Sequence, residues 1–345
     1  MRWYAGHRRD LPWRRRPAPY RVWISEVMLQ QTVVAAVAAR FEQWMARFAD
    51  VPSLARASEQ EVLAAWEGLG YYRRAQAARR AAMRMVELHG GRVPRAREAL
   101  LALPGIGPCA AAAIRSIAFS EDEVALDANV MRVFMRLLGV EGSARDAAAR
   151  RTVEGAARAA LPSGRAGDYN QALMDFGSLI CRPARPDCDR CFAEELCRAR
   201  ALGLERRIPH LRAKRLQRVR AAVAILLRGA SVYVQRRPQR GRFAGMWEFP
   251  GGKLRRGETP RRALVREVRE ELGVACRAGR ALDPIVHRYT VFEVTLHPFV
   301  CRPPARLPLD DTHRWVPLDE LRAYPMPSAN RRLVEALGRK AGRRP

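Results

Sequence analysis

Apolar positions along this chain follow two different periods, and the change falls near residue 220. Before it, apolar residues recur every three to four positions, as on the buried face of a helix. The run Val22-Trp23-Ile24-Ser25-Glu26-Val27-Met28-Leu29 predicts a helix with Ser25 as its N-cap candidate. Helical patterns continue over residues 41–48, 58–66, 75–88 and 110–117, and residues 170–177 read as a helix running into Cys181. Beyond residue 220 an apolar run at 221–227, a turn at Arg228-Gly229 and an alternating stretch at 231–235 predict strands. The expected fold is therefore multidomain, an all-α half over residues 1–200 and an α+β half over residues 220–345. The strongly basic, aperiodic residues 201–219 read as a linker.

Two glycine turns interrupt the helical half. Leu103-Pro104-Gly105-Ile106-Gly107-Pro108 opens a helix. Gly105 and Gly107 permit positive φ and a close approach of ligand to backbone, and unpaired N–H groups at the helix start suit a phosphate. Gly68-Leu69-Gly70-Tyr71-Tyr72-Arg73-Arg74 presents two aromatics and two arginines. It reads equally as a wedge into stacked bases and as a helix–helix turn with inward tyrosines.

Composition narrows the partner. A formal charge of +28 over 345 residues points to a polyanion, and only Lys214, Lys253 and Lys340 are lysines. No apolar run approaches the ~20 residues of a bilayer span, and the N-terminus lacks the apolar region of a secretory signal. No membrane partner is expected. Four of seven cysteines cluster as Cys181-x6-Cys188-x2-Cys191-x5-Cys197. That reads as metal ligation in a reducing compartment, and the expected location is the bacterial cytoplasm, at the nucleoid. Paired short knuckles are usual for zinc; one CxxC with a longer arm on each side favours a cubane iron–sulfur cluster.

Three further carboxylate features stand out. Glu26 begins a helix among apolar neighbours, where its proton would be retained near neutral pH; a solvated first-turn Glu is the plainer local reading. Asp127 follows the Gly105–Gly107 turn closely and is either a functional carboxylate or an ordinary cap. The pattern Gly252-x5-Glu258-x7-Arg266-Glu267-x2-Glu270-Glu271-x-Gly273 sets Glu267, Glu270 and Glu271 on one helix face. They are candidate magnesium ligands, or a solvated acidic face offset by arginines.

Taken together, SEVMLQQT (25–32), GLGYY (68–72), LPGIG (103–107), LDANV (126–130) and the cysteine string resemble the MutY family of adenine DNA glycosylases over nearly the whole chain. The resemblance implies a helix-hairpin-helix glycosylase domain with a 4Fe-4S loop at 181–197, then a Nudix-like domain that recognises 8-oxoguanine opposite the target adenine. It makes Glu26 the acid that protonates adenine and Asp127 the anion that stabilises the sugar cation, supported by Asn129. Gln31 and Tyr71 match intercalating positions, Gly105 and Gly107 the hairpin that holds DNA, and Trp13 and Arg14 the border of the adenine pocket. The implied partner is double-stranded DNA carrying A opposite 8-oxoguanine or G, bound by a monomer.

The chain departs from that pattern at three places. Cys109 stands where MutY relatives generally carry Tyr or Ser and the related endonuclease III-like enzymes a lysine nucleophile, so no Schiff base forms there and a monofunctional enzyme is expected. A Phe-Ser-His loop that reads 8-oxoguanine is replaced by Tyr289-Thr290-Val291, and the Nudix box is complete rather than degenerate. Three rival readings remain at this point: a Nudix hydrolase of nucleoside triphosphates, an endonuclease III-like glycosylase of different base specificity, and a DNA-binding protein that only scans.

Overall fold

The computed structural model describes residues 1–210, 216–289 and 291–341. They pack into two compact units, Met1–Ala57 with Ala77–Ala213, and Ser58–Gln76 with Lys214–Pro345. No described helix is long and apolar enough to cross a membrane.

The first unit is helical. Helix Pro19–Leu29 starts on a proline, whose fixed φ and missing N–H suit a first turn, and buries Val22, Trp23, Ile24, Val27 and Met28. Ser25 is not its cap: the N-cap is Ala18, and the Ser25 hydroxyl donates to the Val22 carbonyl at 2.8 Å inside the helix. This helix packs on helix Pro108–Phe119, whose buried Ala110–Ala113 side chains are short enough to admit a close neighbour. Helix Arg97–Leu101, the glycine turn and helix Pro108–Phe119 form the predicted hairpin. At Gly105 φ is +82° and an added Cβ would lie 2.9 Å from the Ala77 Cβ, so both conformation and space demand glycine.

Helix Ala128–Leu138 is capped by Asp127, whose side chain accepts from the Val130 N–H at 2.7 Å. It ends at Gly139, with φ +67°. Its apolar face, including Val130, Phe134 and Met135, packs with Val153, Tyr169 and Ile208. Helix Ala166–Leu179 crosses the same core and runs into the cysteine loop.

The second unit is built on a mixed sheet. Its strands are β1 (Gln217–Arg228), β2 (Ser231–Arg236), β3 (Trp247–Glu248), β4 (Gly251–Lys253), β5 (Arg280–Ala281), β6 (Ile285–Arg288), β7 (Phe292–Cys301) and β8 (His313–Pro317). The order is β3-β2-β1-β7-β5, with β4 on β1, β6 on β7 and β8 on β2; β1 and β7 run parallel. Ala221, Val223 and Ile225 enter a core shared with Leu333 and Val334 of helix Ser328–Ala341. Ala222, Ala224 and Leu226 enter another, shared with Leu264 and Val268 of helix Pro260–Leu272. Helices on both faces explain the unbroken apolar run of β1. The alternation in β2 has the same origin, since Val232 and Val234 fill one core and Tyr233 the other.

Two boundaries differ from the sequence reading. Residues 217–219 lie in β1 and not in a linker, while residues 211–215 lie outside the described residues. Residues 58–76, placed with the helical half from sequence, group with residues 214–345. Within that unit the Trp247 indole N–H donates to Gln60 at 2.9 Å, and Arg331 Nε donates to Glu67 at 2.7 Å.

Candidate active site

In the first unit, helices Pro19–Leu29, Pro108–Phe119 and Ala166–Leu179 and the residues around Asp127 wall a cleft of about 460 Å³. Leu11, Trp13, Val22, Leu29, Ile117, Leu126 and Met174 supply its apolar lining. Glu26 and Asp127 both open into it, a hundred residues apart in sequence.

Their environments separate two carboxyls of similar intrinsic acidity. Burial raises the pKa of Glu26 to about 7, helped by the negative charge of Asp127 and opposed by Arg14. Arg14 opposes weakly because it is already committed: its Nη1 and Nη2 donate to the buried Asp175 at 2.6 and 3.0 Å, beside a 2.7 Å bond from Arg9. Burial also raises the pKa of Asp127, and donors to its anion oppose that shift without reversing it. Oδ1 accepts from the Val130 N–H at 2.7 Å and Oδ2 from Asn129 Nδ2 at 2.8 Å. The donors on Asp127 favour its anion, and burial beside that anion favours the proton on Glu26.

Two amides hold Asp127 in place. Asn129 Oδ1 accepts from Arg132 Nη2 at 2.8 Å, while Arg132 Nε donates to the Cys181 carbonyl at 2.8 Å. Asn170, fully buried, accepts from the Ala125 N–H at 3.0 Å and donates to Ser116 and the Glu123 carbonyl at 2.8 Å. It ties down the segment that delivers Asp127. The sequence reading missed Asn170, Asp175 and Gln171, the last of which lines the cleft. Their signal is a set of polar residues at i, i+1 and i+5 that the helix buries.

Trp13, Arg14, Gly107, Cys109 and Asn129 line the cleft with the two carboxyls. Cys109 is held as a neutral thiol, since burial and the nearby carboxylates push its pKa up. Gly105 lies outside the lining, where its carbonyl accepts from Gln30 Nε2 at 3.4 Å. Gln31 is exposed with φ +60°, an uncommon conformation for a residue with a side chain. Tyr71 belongs to the second unit, at φ +47°, with the Arg74 guanidinium 5.6 Å from its ring.

Also in the second unit, Tyr289 stacks on Phe292 at 4.6 Å, and its hydroxyl accepts from the Ala329 N–H at 3.1 Å. Val291 is partly exposed, and Thr290 lies outside the described residues. The Nudix-box carboxylates are engaged within the protein. Arg266 donates to Glu258 at 2.7 Å, to Glu267 at 2.7 Å and to Glu270 at 2.9 Å. Glu271 accepts from Gln235 at 2.7 Å and from the Gly251 N–H at 3.0 Å. The expected magnesium site therefore does not form among the described residues: an arginine sits where a cation would join Glu267 and Glu270, and Glu271 is turned elsewhere.

Cys181, Cys188, Cys191 and Cys197 line one small cavity beside Arg136. Arg136 Nη1 lies 3.2 Å from Cys181 Sγ and 2.8 Å from the Arg182 carbonyl, and burial raises the thiols of Cys188 and Cys191. Among the described residues no three such side chains converge on a single metal ion.

Residues 24–158 match the HhH-GPD superfamily of base excision DNA repair proteins, and residues 222–336 match the NUDIX domain. A helix-hairpin-helix repair unit joined to a Nudix unit is the class defined here. The chain is 30% identical to the adenine DNA glycosylase of Rattus norvegicus, covering 93% of this chain and 74% of that protein. To that of Mus musculus it is 32% identical, covering 86% and 68%. The match to the Homo sapiens protein, 32% identical over 86% of this chain, spans 64% of that protein's length. The chain belongs to the adenine DNA glycosylase family. A thermostable thymine-DNA glycosylase superposes with a TM-score of 0.53 at 28% identity, covering 58% of this chain and 93% of that one. An endonuclease III–DNA complex shares the fold at 22% identity, with a TM-score of 0.52 over 59% of this chain and 92% of that one.

Proposed function

We propose that this chain is a monofunctional N-glycosylase, acting as a monomer on double-stranded DNA to release adenine opposite 8-oxoguanine or guanine. The observation that carries the reading is the pair of unlike carboxyls, Glu26 and Asp127, facing one cleft. An adenine anion is a poor leaving group, so the base must gain a proton as the glycosidic bond breaks. Glu26, with a pKa of about 7, holds a transferable proton at neutral pH. The sugar then develops positive charge, and Asp127 supplies a fixed anion for it. The cleft requires the nucleotide to leave the duplex before it can enter. Cys109 provides no amine, which supports base release without strand cleavage.

The four thiols around one cavity suit a 4Fe-4S cluster, which bonds each cysteine to a different iron, better than a lone zinc, which needs them converged. The cluster would be held by Cys181, Cys188, Cys191 and Cys197 and would brace the loop whose Cys181 carbonyl receives Arg132. It would supply structure and electron capacity, and its bearing on the carboxyl pair is structural, through Cys181, Arg132 and Asn129. Lesion reading is assigned to Tyr289, Thr290 and Val291 in the Nudix unit.

The test is single-turnover adenine release from duplexes carrying A opposite 8-oxoguanine, G or T, with strand breaks scored before and after alkali. Breaks only after alkali, and only opposite 8-oxoguanine or G, are expected. Breaks without alkali, or equal release opposite T, would overturn the proposal.

A further inference from the structure

Residues 253–280 contain nine basic and four acidic side chains, and the acids are already satisfied within the fold. Glu258, Glu267 and Glu270 share Arg266, and Glu271 faces Gln235 and Gly251. What remains at the surface is positive. Lys253, Arg256, Arg261, Arg262, Arg269 and Arg277 are all exposed. The Arg262 and Arg269 guanidinium groups have no hydrogen-bond or ion-pair partner among the described residues, and Arg261 is anchored to the Ala278 carbonyl and over the Phe299 ring. Arg261, Arg262, Arg266 and Arg269 of helix Pro260–Leu272 line a broad depression of about 710 Å³ with Val265 and with Glu270, which Arg266 pairs.

We infer that this face of the Nudix helix grips the phosphate backbone of the DNA duplex on which the same chain acts. The inference rests on the duplex being the substrate. The helix is 13 residues long, about 20 Å, and Arg262 and Arg269 are separated by about 10 Å along it. Duplex DNA carries one negative charge per ~1.7 Å of axis, so a row of this length meets several phosphates at once. The depression is broad and lined mainly by guanidinium groups, with no aromatic ring in its lining to stack on a base, which fits an extended polyanion better than a free nucleotide. The box that would hold metal and pyrophosphate in a hydrolase thus frames a metal-free grip on phosphate.

The experiment measures binding of the full-length protein to undamaged duplex across a salt series. It compares wild type with R262Q/R269Q and R262E/R269E, and with R302Q/R322Q as a charge-matched control at exposed arginines elsewhere in the unit. For R262Q/R269Q the log Kd–log salt slope is expected to become shallower by about 2, close to 0.9 for each phosphate no longer neutralised. The charge-reversed pair should bind at least ~10-fold more weakly at low salt. The control should keep the wild-type slope, and adenine release at saturating protein should be unchanged in all three variants, which also reports an intact fold. An unchanged slope, or an equal loss in the control, overturns the inference. So does a nucleoside triphosphate whose binding the variants lose while duplex affinity stays fixed. Failure of adenine release in the wild type would refute the proposed function and leave the binding comparison standing.

Discussion

Asn129 donates to Asp127 at 2.8 Å and accepts from Arg132 at 2.8 Å, so one amide holds a carboxylate on one side and a guanidinium on the other. Asp127 is thereby oriented by donors that favour its anion, without a direct ion pair that would neutralise it before a sugar cation forms. Asn129→Leu should slow single-turnover adenine release by ~10–100-fold with duplex affinity within a few-fold. Asp127→Asn should abolish release yet still cap its helix, because the amide oxygen can accept from Val130. Loss of release together with a fall of several kcal/mol in stability would mean that Asp127 is structural.

Glu26 gives the reaction its pH dependence. The acid is protonated below about pH 7, so the rate of base release should fall with unit slope as pH rises beyond that value. The same shift acts on stability with a definite sign. A carboxyl whose folded pKa lies above its unfolded value costs nothing below pH ~4.5, and the cost grows between there and pH 7, reaching about 3 kcal/mol. Glu26→Gln should therefore abolish release and stabilise the fold more at pH 8 than at pH 5, as denaturant melts at both values would register.

Arg266 is predicted to stand in for a cation. It holds Glu258 down to a pKa of about 2, so this pairing stabilises at neutral pH and is lost only as pH falls toward 2. Arg266→Met leaves Glu258, Glu267 and Glu270 facing one another. Its melting temperature should drop by several degrees, and millimolar magnesium should restore part of the loss in the variant while leaving wild type unmoved. A variant as stable as wild type in the absence of magnesium would show that the carboxylates do not repel appreciably.

Gly105→Ala tests the hairpin. A side chain there must adopt φ near +82° and displace Ala77, at a cost of about 1–3 kcal/mol. Duplex binding should weaken in parallel, measured by titration with undamaged DNA. Gly107→Ala should fold normally, since an added Cβ meets nothing within 4 Å.

Cys191→Ser should purify with little iron and lose the visible absorbance of the cluster. Stoichiometric zinc without iron in wild type would remove the cluster from the proposal.

The elements were most legible where one side chain decides the outcome. Pro108 and Gly105 marked the hairpin, and the run at 221–227 marked a strand buried on both faces. Ser25 misled because capping residues also occur inside helices, and Pro19 outcompetes it as a start. Glu26 could not be judged from its neighbours, because its environment comes first from burial in the folded cleft, then from Asp127 a hundred residues away and from an Arg14 diverted by Asp175. The Nudix box was visible as a pattern, but spacing could not show that Arg266 would occupy the place of its metal.

The discontinuous second unit bears on how this chain tolerates truncation and recombination. Gln60 and Glu67 are encoded in the first quarter of the sequence, yet they bond Trp247 and Arg331 in its last third. A premature stop after residue 213 would remove more than the Nudix unit, for it would orphan these polar partners near the start of the chain. Swapping C-terminal halves between homologues at that boundary would carry the same penalty unless residues 58–76 travel with them.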